Sequence, residues 1–171
     1  MHRFRNTVFA FWLSMPLLFS GCAYYSFTGA TIPENLNSIA IPLAIDNSIN
    51  TIPSLSDELT ELLINRFVNQ TRLSLTPNEA DADAVLVAEI QRYTNAPAAV
   101  SGEETAARNR VTISVSIVYT DQVDEEELLS RSFSNFEEYD PLLGIDGEEE
   151  AALAALENVA DDIFTAATSN W

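Results

Sequence analysis

The stretch Arg110-Val111-Thr112-Ile113-Ser114-Val115-Ser116-Ile117-Val118-Tyr119-Thr120 alternates between apolar and polar residues. Val111, Ile113, Val115, Ile117 and Tyr119 fall on one side, and Thr112, Ser114 and Ser116 on the other. A two-residue period of this length predicts a β-strand with one buried and one solvated face. Upstream, Ala84 to Tyr93 is a second strand, richest in apolar residues at Val85-Leu86-Val87-Ala88. Downstream, Leu128 to Phe136 returns as a third, with Leu129, Arg131 and Phe133 on one face. The acidic connection Asp121 to Glu127 joins the last two, and the three segments predict an antiparallel meander. Asn95 to Asn109 exceeds the usual hairpin length of roughly 2–5 residues. This loop is expected to pack on the domain or to meet a partner.

Two helical patterns flank the meander. Ser54 is a candidate N-cap with Asp57 three residues on, and Leu55, Leu59, Leu62, Leu63 and Phe67 form one apolar stripe. Asp146 is a candidate cap for the second helix, whose stripe is Leu153, Leu156, Ala160, Ile163, Phe164 and Ala167. Before the first helix, Ser38 to Ile45 predicts a strand with Ile39, Ile41, Leu43 and Ile45 on one face. Pro42 marks a sheet edge or a bulge there. Leu73 and Leu75 predict a further short strand. The expected architecture is α+β: two helices packed on one face of a largely antiparallel four- to five-stranded sheet.

The N-terminus has the parts of an export signal. His2, Arg3 and Arg5 make a basic start, Thr7 to Phe19 is a mostly apolar core, and Gly21 precedes Cys22. The apolar core is shorter than the roughly 20 residues of a spanning helix, and Pro16 interrupts it. Leu18-Phe19-Ser20-Gly21-Cys22 resembles a bacterial lipobox, with Phe19 where Leu is usual. The alternatives are an ordinary cleaved signal with a chance cysteine and an uncleaved anchor. In the lipobox reading, residues 1–21 are removed and Cys22 carries a diacylglycerol and an N-acyl chain. Ala23 favours sorting to the outer membrane. The apolar segment 22–37 then carries Tyr24, Tyr25 and Phe27 next to the lipid, and residues 38–171 form a single domain. The aromatic cluster packs on its own domain or on a partner at the membrane.

Composition excludes most chemistry. The mature chain keeps six arginines against 26 acidic residues, a formal charge of 6 − 26 = −20, with no lysine. Such a charge argues against nucleic acid as a partner, which requires a positive footprint. Acid excess without lysine suits either a high-salt habitat or a merely acidic periplasmic protein. The only histidine, His2, leaves with the signal, and the only cysteine is Cys22. Ser-His-Asp and Cys-His catalysis, lysine Schiff bases and ordinary zinc sites are therefore removed together. No carboxylate pair has a spacing that marks a glycosidase site. Asp121 to Glu127 lacks the glycine and alternating ligands of a calcium loop, so it reads as a solvated turn. No metal, cofactor or catalytic residue is expected. Arg92, Arg108 and Arg110 cluster around the long loop. They suit either forked bonds to lipid phosphates or pairing with local carboxylates.

Gly21 to Pro33, Glu104 to Ile113, Phe136-Glu137-Glu138-Tyr139-Asp140, Asp162-Ile163-Phe164 and Asn170-Trp171 resemble, in order, segments of the LptE-like lipopolysaccharide-assembly lipoproteins. The resemblance implies an α+β lipoprotein on the periplasmic face of a Gram-negative outer membrane. It implies a non-catalytic plug inside a large β-barrel, the lipopolysaccharide translocon, which it helps to assemble. Relatives are credited with a basic lipopolysaccharide-binding patch. With no lysine here, only Arg92, Arg108, Arg110, Tyr24, Tyr25 and Phe27 stand as candidate contacts to lipopolysaccharide or partner. A general lipid-binding envelope lipoprotein, with a lipid-sized cavity between helices and sheet, is the alternative.

Overall fold

The structure, a computed structural model, describes residues 32–49, 52–98 and 108–169. The expected signal over residues 1–21, Cys22 and the aromatic cluster Tyr24, Tyr25 and Phe27 lie outside the described residues, as do Asn170 and Trp171. The chain runs β1 (Ser38–Ala40), β2 (Ile45–Asp46), α1 (Leu55–Asn69), β3 (Ser74–Leu75), β4 (Ala84–Pro97), β5 (Asn109–Asp121), β6 (Glu126–Tyr139) and α2 (Gly144–Ser169). Single 3-10 turns occupy Glu79–Asp81 and Pro141–Leu143.

The meander forms as the alternation predicts. β5 pairs antiparallel with β4 on one side and β6 on the other. Val111, Ile113, Val115, Ile117 and Tyr119 are fully buried beneath the helices. The sheet as a whole is mixed rather than largely antiparallel, and it has six strands in the order β3-β1-β4-β5-β6, with β2 also on β4. β1 is parallel to both β3 and β4, and β2 is parallel to β4. The cause is α1: a helical crossover returns the chain in its original direction, which imposes parallel pairing.

Other expectations shift at their ends. The strand expected over Ser38–Ile45 breaks at Pro42, which has no N–H to offer a ladder. Beyond the break the faces exchange: Leu43 and Ile45 are exposed, whereas Ala44 is buried and its N–H donates to Thr60 Oγ1 at 2.9 Å. Ser54 is helical in its own backbone and makes no side-chain cap. Leu55 N–H instead closes a tight turn onto the Ile52 carbonyl. Asp146 lies within the first turn of α2 rather than capping it, because Asp140 caps the preceding 3-10 turn through Leu142 N–H. The chain passes from that turn into α2 at Gly144, whose φ of +61° suits a residue without a side chain. Leu153 is on the rim of α2, not in its stripe. The buried face there is Ala151, Ala152 and Ala155, small residues that let the helix approach the sheet closely.

Two bulges set which side chains enter the core. The β4–β5 register shifts between Ile90 and Arg92, and the β5–β6 register shifts between Tyr119 and Thr120. The extra residue at Gln91 moves Tyr93 inward and Arg92 outward, reversing the earlier alternation. Phe67 of α1 sits edge-on to Tyr119 of β5 and Phe164 of α2, at 5.8 and 5.4 Å between ring centroids. Arg66 pairs with Asp161 and, at 3.5 Å, with Glu157, joining the two parallel helices above that cluster. Asp161 holds the guanidinium proton above its ordinary range. Among the described residues, no helix is long and apolar enough to cross a membrane.

Candidate functional site

The open face of the sheet carries the outward side chains of β4, β5 and β6. Thr112, Ser114, Ser116, Ser132 and Ser134 line its centre, and Ser114 Oγ lies 2.9 Å from Ser134 Oγ. Phe136 and Val118 are exposed on it at 48% and 40%, so its β5–β6 centre is uncharged and partly apolar in a strongly acidic chain.

The three sequence-predicted arginines do not converge. Arg110 lies on the open face, where its guanidinium donates to Glu138 Oε1 at 2.6 Å and covers the Phe136 ring at 4.1 Å. Its charge is thus met by a local carboxylate, the less specific of the two expectations. Arg92 is also on the open face, opposite Ser114 and four residues along β4 from Ala96, the partner of Arg110. It makes no hydrogen bond or ion pair among the described residues. Arg108 turns instead towards a cleft of about 320 Å³ lined by Glu137, Tyr139, Asp140, Leu143 and Gly147. Arg92 and Arg110 thus lie on the open face and Arg108 at the cleft, so the three guanidiniums are not brought together. β4 reaches Pro97 and β5 begins at Asn109, so the connection expected from residue 95 starts later. Residues 99–107 lie outside the described residues.

Sequence reasoning missed a polar network beneath that connection. Tyr93 Oη donates to Glu148 Oε1 at 2.7 Å. Asn95 and Asn109 both donate to Tyr139 Oη, at 2.7 and 3.2 Å. Burial, then the neighbouring Glu148 carboxylate, pushes the Tyr93 phenol well above its ordinary range. The network ties three strands to the start of α2. Its only sequence signal is the pair Asn95 and Asn109 flanking the loop, and the bulge that turns Tyr93 inward is not visible there.

The opposite pole holds residues 32–38, the end of the segment 22–37 and the start of β1. Arg72, just past α1, donates to the carbonyls of Ile32 and Leu36, each at 3.1 Å, and to that of Pro33. Asn35 Nδ2 donates to Asp121 Oδ2 and Asp124 Oδ2 in the β5–β6 turn, at 2.8 and 2.9 Å. Asp83 accepts the backbone N–H groups of Asn37 and Ser38 at 2.8 and 2.9 Å, and these bonds hold its carboxyl below the usual range. The chain arriving from residue 31 is therefore fastened to the fold by one guanidinium and three carboxylates. Among the described residues, no cluster of potential ligands is arranged to hold a metal ion. The space between helices and sheet is filled by core side chains such as Leu86, Ile113, Leu156 and Ile163.

No curated protein sequence matches the chain. Among solved structures, it is similar to a putative neuraminyllactose-binding hemagglutinin homologue from Helicobacter pylori, with a TM-score of 0.56 and 10% identity, covering 83% of this chain and 91% of that one. It is similar to a hypothetical protein from Chlamydia trachomatis, with a TM-score of 0.52 and 11% identity, covering 79% and 99%. It is also similar to the PelC dodecamer subunit of Paraburkholderia phytofirmans, with a TM-score of 0.52 and 7% identity, covering 82% and 95%. At these identities the likeness is one of fold. The model of the family LptE, described as lipopolysaccharide-assembly, matches residues 36–167, from the fastened loop before β1 to the last turn of α2. With this match over most of its length, the chain belongs to the LptE lipopolysaccharide-assembly family.

Proposed function

We propose that the chain is a non-catalytic lipoprotein, held at the periplasmic face of the outer membrane by acyl chains on Cys22, that binds and supports the β-barrel lipopolysaccharide translocon. The family match over residues 36–167 carries this reading. Composition supports it: the mature chain has no histidine, lysine or free thiol with which to run common chemistry. The fastening of residues 32–38 fits it too, because it ties the chain that follows Cys22 directly to the domain. Two or three acyl chains make such attachment effectively permanent, at about 0.8 kcal/mol for each buried CH₂. The uncharged, serine- and threonine-lined centre of the open sheet face offers the polar and shape complementarity on which a protein interface rests. The core-filled space between helices and sheet disfavours a general lipid carrier.

The test is co-purification. The full chain is tagged at its C-terminus, outer membranes are gently solubilised, and a stoichiometric large β-barrel is expected with it. Recovery of the lipoprotein alone, from membranes where the barrel is intact, would overturn the reading. A Cys22→Ala variant made without the barrel should leave the membrane fraction. Its retention there would overturn the lipid anchor.

A further inference from the structure

β6 is an edge strand of 14 residues, and among the described residues no strand pairs with its outer side. Past the bulge at Leu128, the run Leu129 to Tyr139 presents about 35 Å of regular free edge at roughly 3.4 Å per residue, still well beyond the usual strand of about 5–6 residues. Natural sheets blunt such edges with charge, proline or brevity. Here the central stretch Leu128 to Phe136 contains no proline and only one charged residue, Arg131. Every second residue of an antiparallel edge aims its N–H and C=O outward, so the strand is a template for main-chain pairing.

The ends of the strand say what pairs with it. Glu126 and Glu127 stand at one end, and Glu137 and Glu138 at the other. A second copy paired antiparallel about the middle of β6 sets the first two against the last two of its partner. A parallel copy sets each pair against itself. Both arrangements oppose carboxylates across the ladder, which is unfavourable. Arg110 neutralises Glu138 alone. A strand with a neutral centre and lysine or arginine at its ends has the opposite polarity.

We propose that the outer edge of β6 takes up an extended strand of the barrel partner, one with basic flanks, by main-chain hydrogen bonding. The proposal rests on the partner reading above and adds the surface and mode of contact. The test is amide hydrogen exchange on the full lipidated chain, alone and in its purified barrel complex. The outward amides of β6 should exchange freely in the chain alone and slow by about tenfold or more in the complex. If no barrel complex exists, both readings fall. If the complex forms and those amides exchange as in the free chain, this proposal alone falls. Protection already present in the free chain, whether from its own undescribed residues or from a second copy, also overturns it. Successive variants Arg131→Pro and Ser132→Pro aim the lost N–H once at β5 and once at the free edge. The edge-facing variant should keep the fold and lose most of the recovered barrel. Undiminished recovery with that variant is an overturning result.

Discussion

Replacing Arg72 by methionine tests whether residues 32–36 are bolted to the domain or merely lie against it. The guanidinium serves three carbonyls, those of Ile32, Pro33 and Leu36. A hydrogen bond from a charged donor contributes about 1.5–3 kcal/mol net when water is excluded. Only the bonds to Ile32 and Leu36 are part-buried, and the bond to Pro33 is exposed. Because water replaces much of what is lost at such a site, the expected cost is about 1–2 kcal/mol rather than the full sum. Arg72→Lys keeps the charge but not the fork, and should recover about half of it. Urea unfolding of the soluble chain beginning after Cys22 measures the cost. It corresponds to a fall in Tm of about 2–8 °C for a domain of this size. The Leu36 amide, which donates to the Pro33 carbonyl at 3.1 Å, should lose exchange protection before the β5 amides do. Equal stability of the methionine variant and the wild type, or full recovery with lysine, would refute the clamp.

The ring cluster should behave as one unit. Phe67→Leu and Phe164→Leu each keep most of the buried volume and remove the edge-to-face contact at 5.4 Å, so a double-mutant cycle in urea should give a coupling of about 0.5–1.5 kcal/mol. Additivity of the two would show that only volume matters there. Gly147→Ala places a Cβ 2.6 Å from Leu143 Cβ and 3.0 Å from Tyr139 Cδ2. The helix gains about 1 kcal/mol of propensity from alanine, yet displacing the 3-10 turn should cost about 1–3 kcal/mol, so thermal melting should show no gain in stability and a loss of up to about 2 kcal/mol. Asp83 gives a pH signature. Its carboxyl is held low by the Asn37 and Ser38 amides, so its contribution is complete above the usual carboxylate value and is lost as pH falls through the lowered one. The stability gap between wild type and Asp83→Ala, measured by urea melts from pH 7 to 2.5, should be flat above about pH 5 and close in the acid range. A gap that persists unchanged at the acid end would exclude the ionised carboxylate as its source.

Much of this protein was legible in the chain because its physics is local. The alternation of Val111, Ile113, Val115, Ile117 and Tyr119 dictates a one-face strand, since side chains alternate with a period of two whatever the surroundings. The spacing of Leu55, Leu59, Leu63 and Phe67 dictates a helix stripe for the equivalent reason. The absence of lysine, and of any histidine or cysteine beyond His2 and Cys22, is likewise read from the chain without any structure. What the tertiary structure alone decided is non-local. The parallel pairing of β1 with β3 and β4 depends on where α1 returns the chain. The bulge at Gln91, which sends Tyr93 to Glu148 and leaves Arg92 outside, depends on the register of β4 against β5. Leu43 looked like core and is exposed, while Ala151, Ala152 and Ala155 looked unremarkable beside Leu153 and are buried. Hydrophobicity ranks residues by size, whereas a close helix–sheet approach selects small ones. The clamp of Arg72 on carbonyls some 36 to 40 residues away in sequence has no local signal at all, because backbone acceptors look the same at every position.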